Sequence, residues 1–207
     1  NQRETIKTTT GEMQLGGVIY SDSADKAARF IANCNQKKIP LVFLQDVTGF
    51  MVGSRSEHGG IIKDGAKMVN TMSNSVVPKF TIIIGNSYGA GNYAMCGKAY
   101  DPRLIIAWPT AKLAVMGGEQ AAKVLLQIEK TTLKDNGEKI DIVKEKKLLK
   151  TITDRYKKQT SPYYAASRLW TDAIIDPLET RKVISMGIEA ANHSPIKEAY
   201  NPGVIQS

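Results

Sequence analysis

Residues Phe80 to Gly91 read FTIIIGNSYGAG and join an apolar run to a glycine-rich turn. The run from Phe80 to Gly85 is short and rich in β-branched isoleucine, so it predicts a strand inside a sheet. The glycines that follow predict a tight turn, and a helix is expected from about Asn92 to Lys98. The stretch is typical of a buried strand that passes through a turn into a helix.

Strands and helices alternate on both sides of this stretch. Upstream, Leu41 to Val47 predicts a second apolar strand, and a glycine-rich loop from Thr48 to Gly60 precedes a helix from about Ile61 to Ser73. Further elements are expected as a strand interrupted by glycine, a helix and an apolar strand, at residues 13–20, 21–35 and 104–108. This alternation predicts an α/β fold, a sheet covered by helices.

After Gly117 the sequence becomes almost entirely helical. We expect one helix to about Thr132, a turn at Asp135 to Gly137 and a long helix to about Gln159. Shorter helices are expected at residues 162–170 and 178–192. Because no internal repeat or low-complexity linker divides the 207 residues, they are interpreted as one domain with a helical C-terminal region.

The chain is basic, but the distribution of charge argues against nucleic-acid binding. Lys and Arg total 28 against 20 acidic residues, a formal charge of +8. From Glu129 to Lys158 the basic residues are mixed with acidic and apolar ones, which indicates amphipathic helix with a solvated face. Aromatic residues do not alternate with them as a base-stacking surface requires. No nucleic-acid partner is expected.

Other features of the sequence bear on membranes, metals and secretion. The apolar runs are far shorter than the ~20 residues that span a bilayer, so no membrane segment is expected. Cys34 and Cys96 show no metal-ligand spacing, so they are expected to be buried free thiols and no metal is predicted. The sequence begins at Asn1 rather than Met, so it is interpreted as a fragment whose start carries no information on targeting. The two free thiols instead indicate a reducing compartment, so a protein that is not secreted is expected.

One motif favours a serine hydrolase. Gly85 to Gly89 matches G-x-S-x-G between a strand and a helix, the pattern of a nucleophile elbow around Ser87. Asp176 (or Asp172) and His193 follow in the order of a Ser-Asp-His triad, and His58-Gly59-Gly60 resembles the start of an oxyanion loop. Against this, His193 stands at an expected helix end, where a histidine often meets the last carbonyls. The hydrolase remains the alternative.

The same turn supports an interpretation that needs no reactive side chain. Where the strand gives way to the helix, the consecutive amides of Ala90 and Gly91 can donate to one oxygen, and small residues let that oxygen approach the backbone. Such a pair would stabilise an enolate-like oxyanion. Glycines at this spacing are also compatible with nothing more than a tight turn and close helix packing, so the residues alone leave both interpretations open.

Longer motifs show a resemblance to a known family. The runs FLQDVTGFMVG and KDGAKMV at 43–53 and 63–69, and SYGAGNYAMCG and VMGGEQAA at 87–97 and 115–122, carry this resemblance. They are similar to the carboxyltransferase β subunits of biotin-dependent acyl-CoA carboxylases. Within that family the motifs resemble the methylcrotonyl-CoA type most closely, and the similarity extends over nearly the whole chain.

The resemblance implies an architecture and a set of partners. It implies a crotonase-like fold, a superhelix of repeated β-β-α units, with residues 1–207 as the C-terminal domain of a two-domain subunit. Because family active sites lie between domains of two subunits, the fragment without its N-terminal domain would be inactive. The implied partners are that domain, a biotin carboxylase with its carboxyl carrier, and further copies in a dimer-based oligomer, up to a hexamer.

The resemblance also implies a reaction. A carboxyl group would move from carboxybiotin, held on a partner carrier domain, to a CoA thioester, while Ala90 and Gly91 would hold the negative oxygen of biotin. The residues implied to form the biotin site are Gly49, Phe50, Met51, Val52, Tyr88, Gly89, Tyr93, Gly117 and Gly118. The implied location is the bacterial cytoplasm or the mitochondrial matrix.

Two departures from the family pattern leave the acyl group open. Tyr93 stands where propionyl-CoA enzymes carry an Asp, which argues against propionyl specificity. Asp46 stands where the methylcrotonyl type is expected to carry an Asn. The resemblance therefore implies a methylcrotonyl-CoA-like or another acyl-CoA substrate.

Overall fold

The structure is a computed structural model that describes residues 3–136 and 142–203. Its strands are β1 (Ile6–Lys7), β2 (Met13–Gln14), β3 (Val18–Ile19), β4 (Leu41–Val47), β5 (Gly49–Phe50), β6 (Lys79–Tyr88), β7 (Leu104–Ala107), β8 (Lys112–Ala114) and β9 (Ala173–Ile174). Its α-helices are α1 (Ser21–Gln36), α2 (Ser54–His58), α3 (Ile61–Ser73), α4 (Gly89–Ala94), α5 (Gly118–Asp135), α6 (Ile142–Gln159), α7 (Pro162–Ser167) and α8 (Thr180–Asn192).

A parallel sheet of five strands organises the described chain. The strand order is β4–β6–β7–β9, and β8 pairs with the end of β6. The register of β4 and β6 runs from Leu41 opposite Lys79 to Gln45 opposite Ile83, then shifts so that Val47 lies opposite Ser87. Parallel strands with helical connections confirm the predicted α/β class.

Helices cover both faces of this sheet, as buried parallel strands require. On one face, Ile31 of α1 and Met72 of α3 pack with Phe43 of β4, in a core that also contains the predicted buried thiols Cys34 and Cys96. On the other face α8 covers β6 and β7, through Val183, Ile184 and Ile188 against Phe80, Ile82 and Ile106. The cores hold β6 rigidly at the centre of the molecule.

The central strand is longer than the sequence predicts. β6 continues beyond Gly85 to Tyr88 because Asn86, Ser87 and Tyr88 pair with β8, and Ser87 also pairs with β4. As a result α4 begins at Gly89 rather than near Asn92. The predicted strand at 13–20 is likewise two short strands, and the predicted loop at 48–60 contains β5 and α2.

The C-terminal region is helical, as predicted. α5 and α6 pack against each other, Lys130 pairs with Glu145 at 2.6 Å, and most basic side chains of α6 are exposed, which confirms the solvated face. The predicted turn at 135–137 begins at Asn136, and its remainder lies outside the described residues. Among the helices that the structure describes, none is long and apolar enough to cross a membrane.

Candidate active site

The turn between β6 and α4 has a backbone conformation that favours glycine. Gly89 has a φ of +48°, in the left-handed region. A Cβ at this position would lie 2.6 Å from the carbonyl oxygen of Val115, which follows β8. The turn is therefore held directly against the segment that leads from β8 into α5.

The amides of Ala90 and Gly91 lie in the first turn of α4, where the helix itself offers no acceptor. Among residues 3–136 and 142–203, neither N–H has a backbone or side-chain acceptor. Ala90 is exposed and Gly91 is buried. A Cβ on Gly91 would lie 2.7 Å from Val47 Cγ2 and 3.2 Å from Gly49 Cα, so β5 lies directly against this backbone.

A cavity of about 380 Å³ opens beside the turn. Gly89, Asn92 and Tyr93, which flank the two amides in the chain, form part of its lining. The remainder is largely apolar and aromatic and includes Leu113, Val115, Tyr156, Tyr164 and Trp170. A mostly apolar cavity with a few convergent polar groups is typical of a site for a small organic ligand.

Lys98 is the charged member of this lining among the described residues. Its Nζ donates to Asp172 Oδ1 at 2.8 Å, and the other carboxylate oxygen accepts the Ile105 N–H at 2.8 Å. Burial alone would raise the pKa of Asp172, but the hydrogen bonds from Lys98 and Ile105 outweigh it and lower this pKa below its ordinary value. The carboxylate stays ionised and offsets the charge of Lys98.

The predicted residues Tyr88, Gly117 and Gly118 are not part of the lining of this cavity but lie close to residues that are. A Cβ on Gly117 would be 4.0 Å from Tyr88 Cε2, and one on Gly118 would be 3.4 Å from Tyr156 Cδ1. The Tyr88 hydroxyl is 3.1 Å from Asn86 Oδ1. Burial raises the pKa of Tyr88, and the nearby Tyr156 and Asp46 raise it further, so Tyr88 is a neutral donor.

The four residues from Gly49 to Val52 are distributed over three environments. Gly49 lies against Gly91, as above. Phe50 packs into the core, and a Cβ on Gly65 would lie 3.0 Å from its ring. Met51 and Val52 line a separate cavity of about 620 Å³ together with Tyr20. Phe50, Met51 and Val52 are therefore not part of the lining of the cavity beside α4.

The serine-hydrolase alternative is wrong. The Ser87 hydroxyl is buried and donates to Gln45 Oε1 at 2.7 Å, while Asn92 Nδ2 donates to its oxygen at 2.7 Å. His193 ends α8 in an exposed position, and Asp176 accepts the Leu178 N–H at 2.8 Å as a helix cap. Ser87 thus has two amide partners and no contact with the histidine that a triad requires.

Several site residues were not predicted. Lys98 and Asn92 follow the glycine turn within ten residues, and that proximity in the chain was the available signal. Tyr156 and Trp170 reach the cavity from α6 and the segment after α7, more than sixty residues away in sequence. Only the long-range packing of the helical region brings them to the turn.

The fold and the site define an α/β protein in which main-chain amides at a glycine turn, rather than an activated side-chain nucleophile, lie beside a largely apolar cavity. Residues 1–203 match the carboxyl transferase domain, and the chain belongs to this family. The comparisons with solved structures of its members confirm the crotonase-like fold.

Relatives and solved structures agree with this assignment. The chain is 50% identical over 190 residues to the mitochondrial methylcrotonoyl-CoA carboxylase beta chain of Arabidopsis thaliana, covering 92% of this chain and 32% of the relative. It resembles the geranyl-CoA carboxylase beta subunit of P. aeruginosa with a TM-score of 0.77 and 38% identity, covering 94% of this chain and 37% of that one.

A third comparison concerns a multienzyme core. The transcarboxylase 12S subunit, solved as a hexamer assembly with methylmalonyl-coenzyme A bound, matches with a TM-score of 0.79 and 34% identity over 92% of this chain and 35% of that chain. The chain thus spans about a third of the length of the relatives that it matches.

Proposed function

We propose that this chain is the C-terminal carboxyltransferase domain, residues 1–207, of a β subunit in a biotin-dependent acyl-CoA carboxylase. The observation that carries the proposal is the pair of consecutive amides at Ala90 and Gly91. In the described chain these amides have no acceptor, and they are flanked by residues of an apolar cavity, in a family named for carboxyl transfer. The carboxyl group would move from carboxybiotin to an acyl-CoA.

The residues present fit a biotin ring. Two N–H donors suit its ureido oxygen, and the aromatic lining suits its apolar faces. When bound, biotin supplies a carboxylated nitrogen whose loss of CO2 leaves negative charge on the ureido oxygen. The N–H groups of Ala90 and Gly91 would donate to that oxygen and stabilise its charge, without a proton transfer from the protein.

The aromatic lining has a second role in this proposal. Tyr156, Tyr164 and Trp170 form an aromatic wall of the cavity, and the Tyr164 and Trp170 rings contact each other edge to face at 6.0 Å. Around a bound biotin ring this wall would limit the access of water to the two amide hydrogen bonds and to released CO2. Tyr93 and Gly89 bound the same space, and Gly117 and Gly118 lie where α5 begins, close to Tyr88 and Tyr156.

The remaining parts of the enzyme lie outside this chain. We assign the acyl-CoA oxyanion hole and most of the acyl-CoA site to an N-terminal domain of the same subunit, and the biotin to a carrier served by a biotin carboxylase. The acyl group is methylcrotonyl-like or related, by similarity to the Arabidopsis relative. We further propose a dimer-based oligomer, up to a hexamer, in the mitochondrial matrix or the bacterial cytoplasm.

Backbone ester substitution tests the proposal without changing a side chain. In the complete carboxylase, lactic acid at position 90 replaces the Ala90 N–H by oxygen. Because loss of one oxyanion donor lowers kcat roughly 10²- to 10³-fold, we expect such a fall in carboxyl transfer from a carboxylated acyl-CoA to biocytin, the lysine amide of biotin. The measurement is the transfer of labelled carboxylate.

Ala99 provides a matched control. It is also an exposed alanine in a short helical turn, and among the described residues its N–H likewise has no acceptor. Lactic acid at position 99 should leave the transfer rate within about twofold of wild type, because the Ala99 amide faces no charge that develops in the reaction. Wild-type transfer by the position-90 ester would contradict the proposed role of the amides.

A further inference from the structure

A buried polar network joins β4, β6 and α4 beneath the turn. Gln45 is 0% exposed in β4, and Ser87 is 1% exposed near the end of β6. The Ser87 hydroxyl donates to Gln45 Oε1, and Asn92 Nδ2 donates to Ser87 Oγ, both at 2.7 Å. Gln45 Nε2 donates to the Met95 carbonyl at 2.7 Å and to the Asn92 carbonyl at 3.4 Å. One side chain is thereby tied to the end of β6 before α4 and to the C-terminal end of α4.

Gln45 differs from its partners in its position relative to the cavity. Ser87 and Asn92 contribute to the cavity lining, whereas Gln45 does not. Asn92 directly follows Gly91 in the chain, and a Cβ on Gly97 would collide with Asn92 Oδ1, so the Asn92 amide group is confined on that side. Gln45 can therefore affect a bound ligand only through the residues that it holds.

The length of α4 makes such support necessary. A helix of six residues is not stable by itself, because nucleation is costly and few hydrogen bonds repay it. The direction of its first amides must be set by contacts with the sheet. Donors stabilise a developing charge only when their direction is fixed before the reaction.

We infer that Gln45 is a positioning residue, which acts through Ser87 and Asn92 to fix the direction of the Ala90 and Gly91 amides. This inference rests on the proposed function of those amides. Without the Gln45 amide group, the buried Ser87 hydroxyl loses its acceptor and the Met95 carbonyl loses the hydrogen bond from Gln45 Nε2. α4 then rotates or shifts to find other partners, and the two N–H groups no longer converge on one oxygen.

Gln45→Met tests the inference in the complete carboxylase, since methionine keeps the length and volume of glutamine but neither hydrogen-bonding atom. We expect kcat for carboxyl transfer to biocytin to fall about tenfold or more, because misaligned donors lose transition-state stabilisation. The KM for the acyl-CoA should stay within about twofold, because no ground-state contact of that substrate is removed.

Asn35→Leu is the matched control. Asn35 is also a buried amide, 2% exposed, and its Oδ1 accepts from the Ser75 hydroxyl and the Val76 N–H, while its Nδ2 donates to the Ile31 carbonyl. These contacts lie near the opposite end of β6 from the turn. We expect this variant to lower the melting temperature as Gln45→Met does, yet to keep the wild-type kcat.

The outcomes separate this inference from the proposed function. A wild-type kcat for Gln45→Met, or an equal loss of kcat in Asn35→Leu, would overturn the positioning role. If Gln45→Met does not fold, Ser87→Ala replaces it, with the same expected loss and the same overturning result. If the position-90 ester is inactive while Gln45→Met is fully active, only the positioning role fails. If the ester is fully active, the proposed function fails first.

Discussion

Gly89 combines two constraints that no other residue can meet. Its φ of +48° is strained for a side chain, and the carbonyl oxygen of Val115 occupies the space of a Cβ. The position therefore depends on glycine both for conformation and for packing. A substitution at Gly89 therefore tests the geometry of the turn directly.

We expect Gly89→Ala to lower the free energy of unfolding by at least about 1–2 kcal/mol, the cost of a left-handed alanine before the clash is added. Urea denaturation of the chain gives this value. Gly118→Ala is the control for stability, because its Cβ would make ordinary contact with Tyr156 at 3.4 Å and its φ is not positive. Equal stability of the two variants would contradict the geometry described for the turn.

At the scale of elements, one hydroxyl ties α6 to the segment before α5. The Tyr156 hydroxyl donates to the Met116 carbonyl at 2.8 Å and accepts the Met116 N–H at 3.3 Å. The same ring lies against Gly118 and lines the cavity. The contact between Tyr156 and Met116 thus joins α6, the segment before α5 and the cavity wall.

Removing that hydroxyl in Tyr156→Phe should cost about 1 kcal/mol, the typical net value of such a bond. We also expect faster hydrogen exchange at Met116, measured by mass spectrometry or NMR, because its N–H loses its acceptor. Tyr163→Phe is the control, since the Tyr163 side chain is 63% exposed. Unchanged exchange in Tyr156→Phe, or an equal change in Tyr163→Phe, would contradict this role.

Some strands and helices could be predicted from the sequence, and others could not. β4 and the last helix lie close to their predicted bounds, because each carries a local apolar pattern of sufficient length. β5 and β9 have two residues each and exist only through pairing with distant strands, which no local pattern records. In the candidate site, the glycine turn could be predicted from the sequence in the same way, whereas the positions of Tyr156 and Trp170 depend on tertiary packing.

In the molecule as a whole, burial suppresses the ionisation of both cysteine thiols. Cys96 has no exposed surface, and burial raises the pKa of its thiol to about 11. Burial also raises the pKa of Cys34. The folded protein therefore disfavours both thiolates, whereas the unfolded chain ionises them near the ordinary pKa of about 8.5.

The stability of the folded protein should therefore fall as the pH rises through the alkaline range. The thiol of Cys96 contributes stability fully below about pH 8.5, and this contribution is lost as pH rises towards 11. We expect the free energy of unfolding, measured by urea under reducing conditions, to fall by roughly 2–3 kcal/mol across this range. Cys96→Ala should show a clearly smaller fall, and Cys34→Ala should retain most of it, because burial raises the pKa of Cys96 the more strongly. A Cys96→Ala profile parallel to that of wild type would disprove the linkage.

The ten-residue strand β6 supplies the middle of the sheet and also ends at the glycine turn before α4. Side chains on a strand alternate between faces, so adding or removing one residue within Lys79–Tyr88 would reverse every position beyond the change. The Ser87 side chain would then point away from Gln45, and the glycines of the turn before α4 would lie against different residues. Residues on the cavity walls can therefore be exchanged in evolution, but the number of residues in the central strand of this domain is not free to vary.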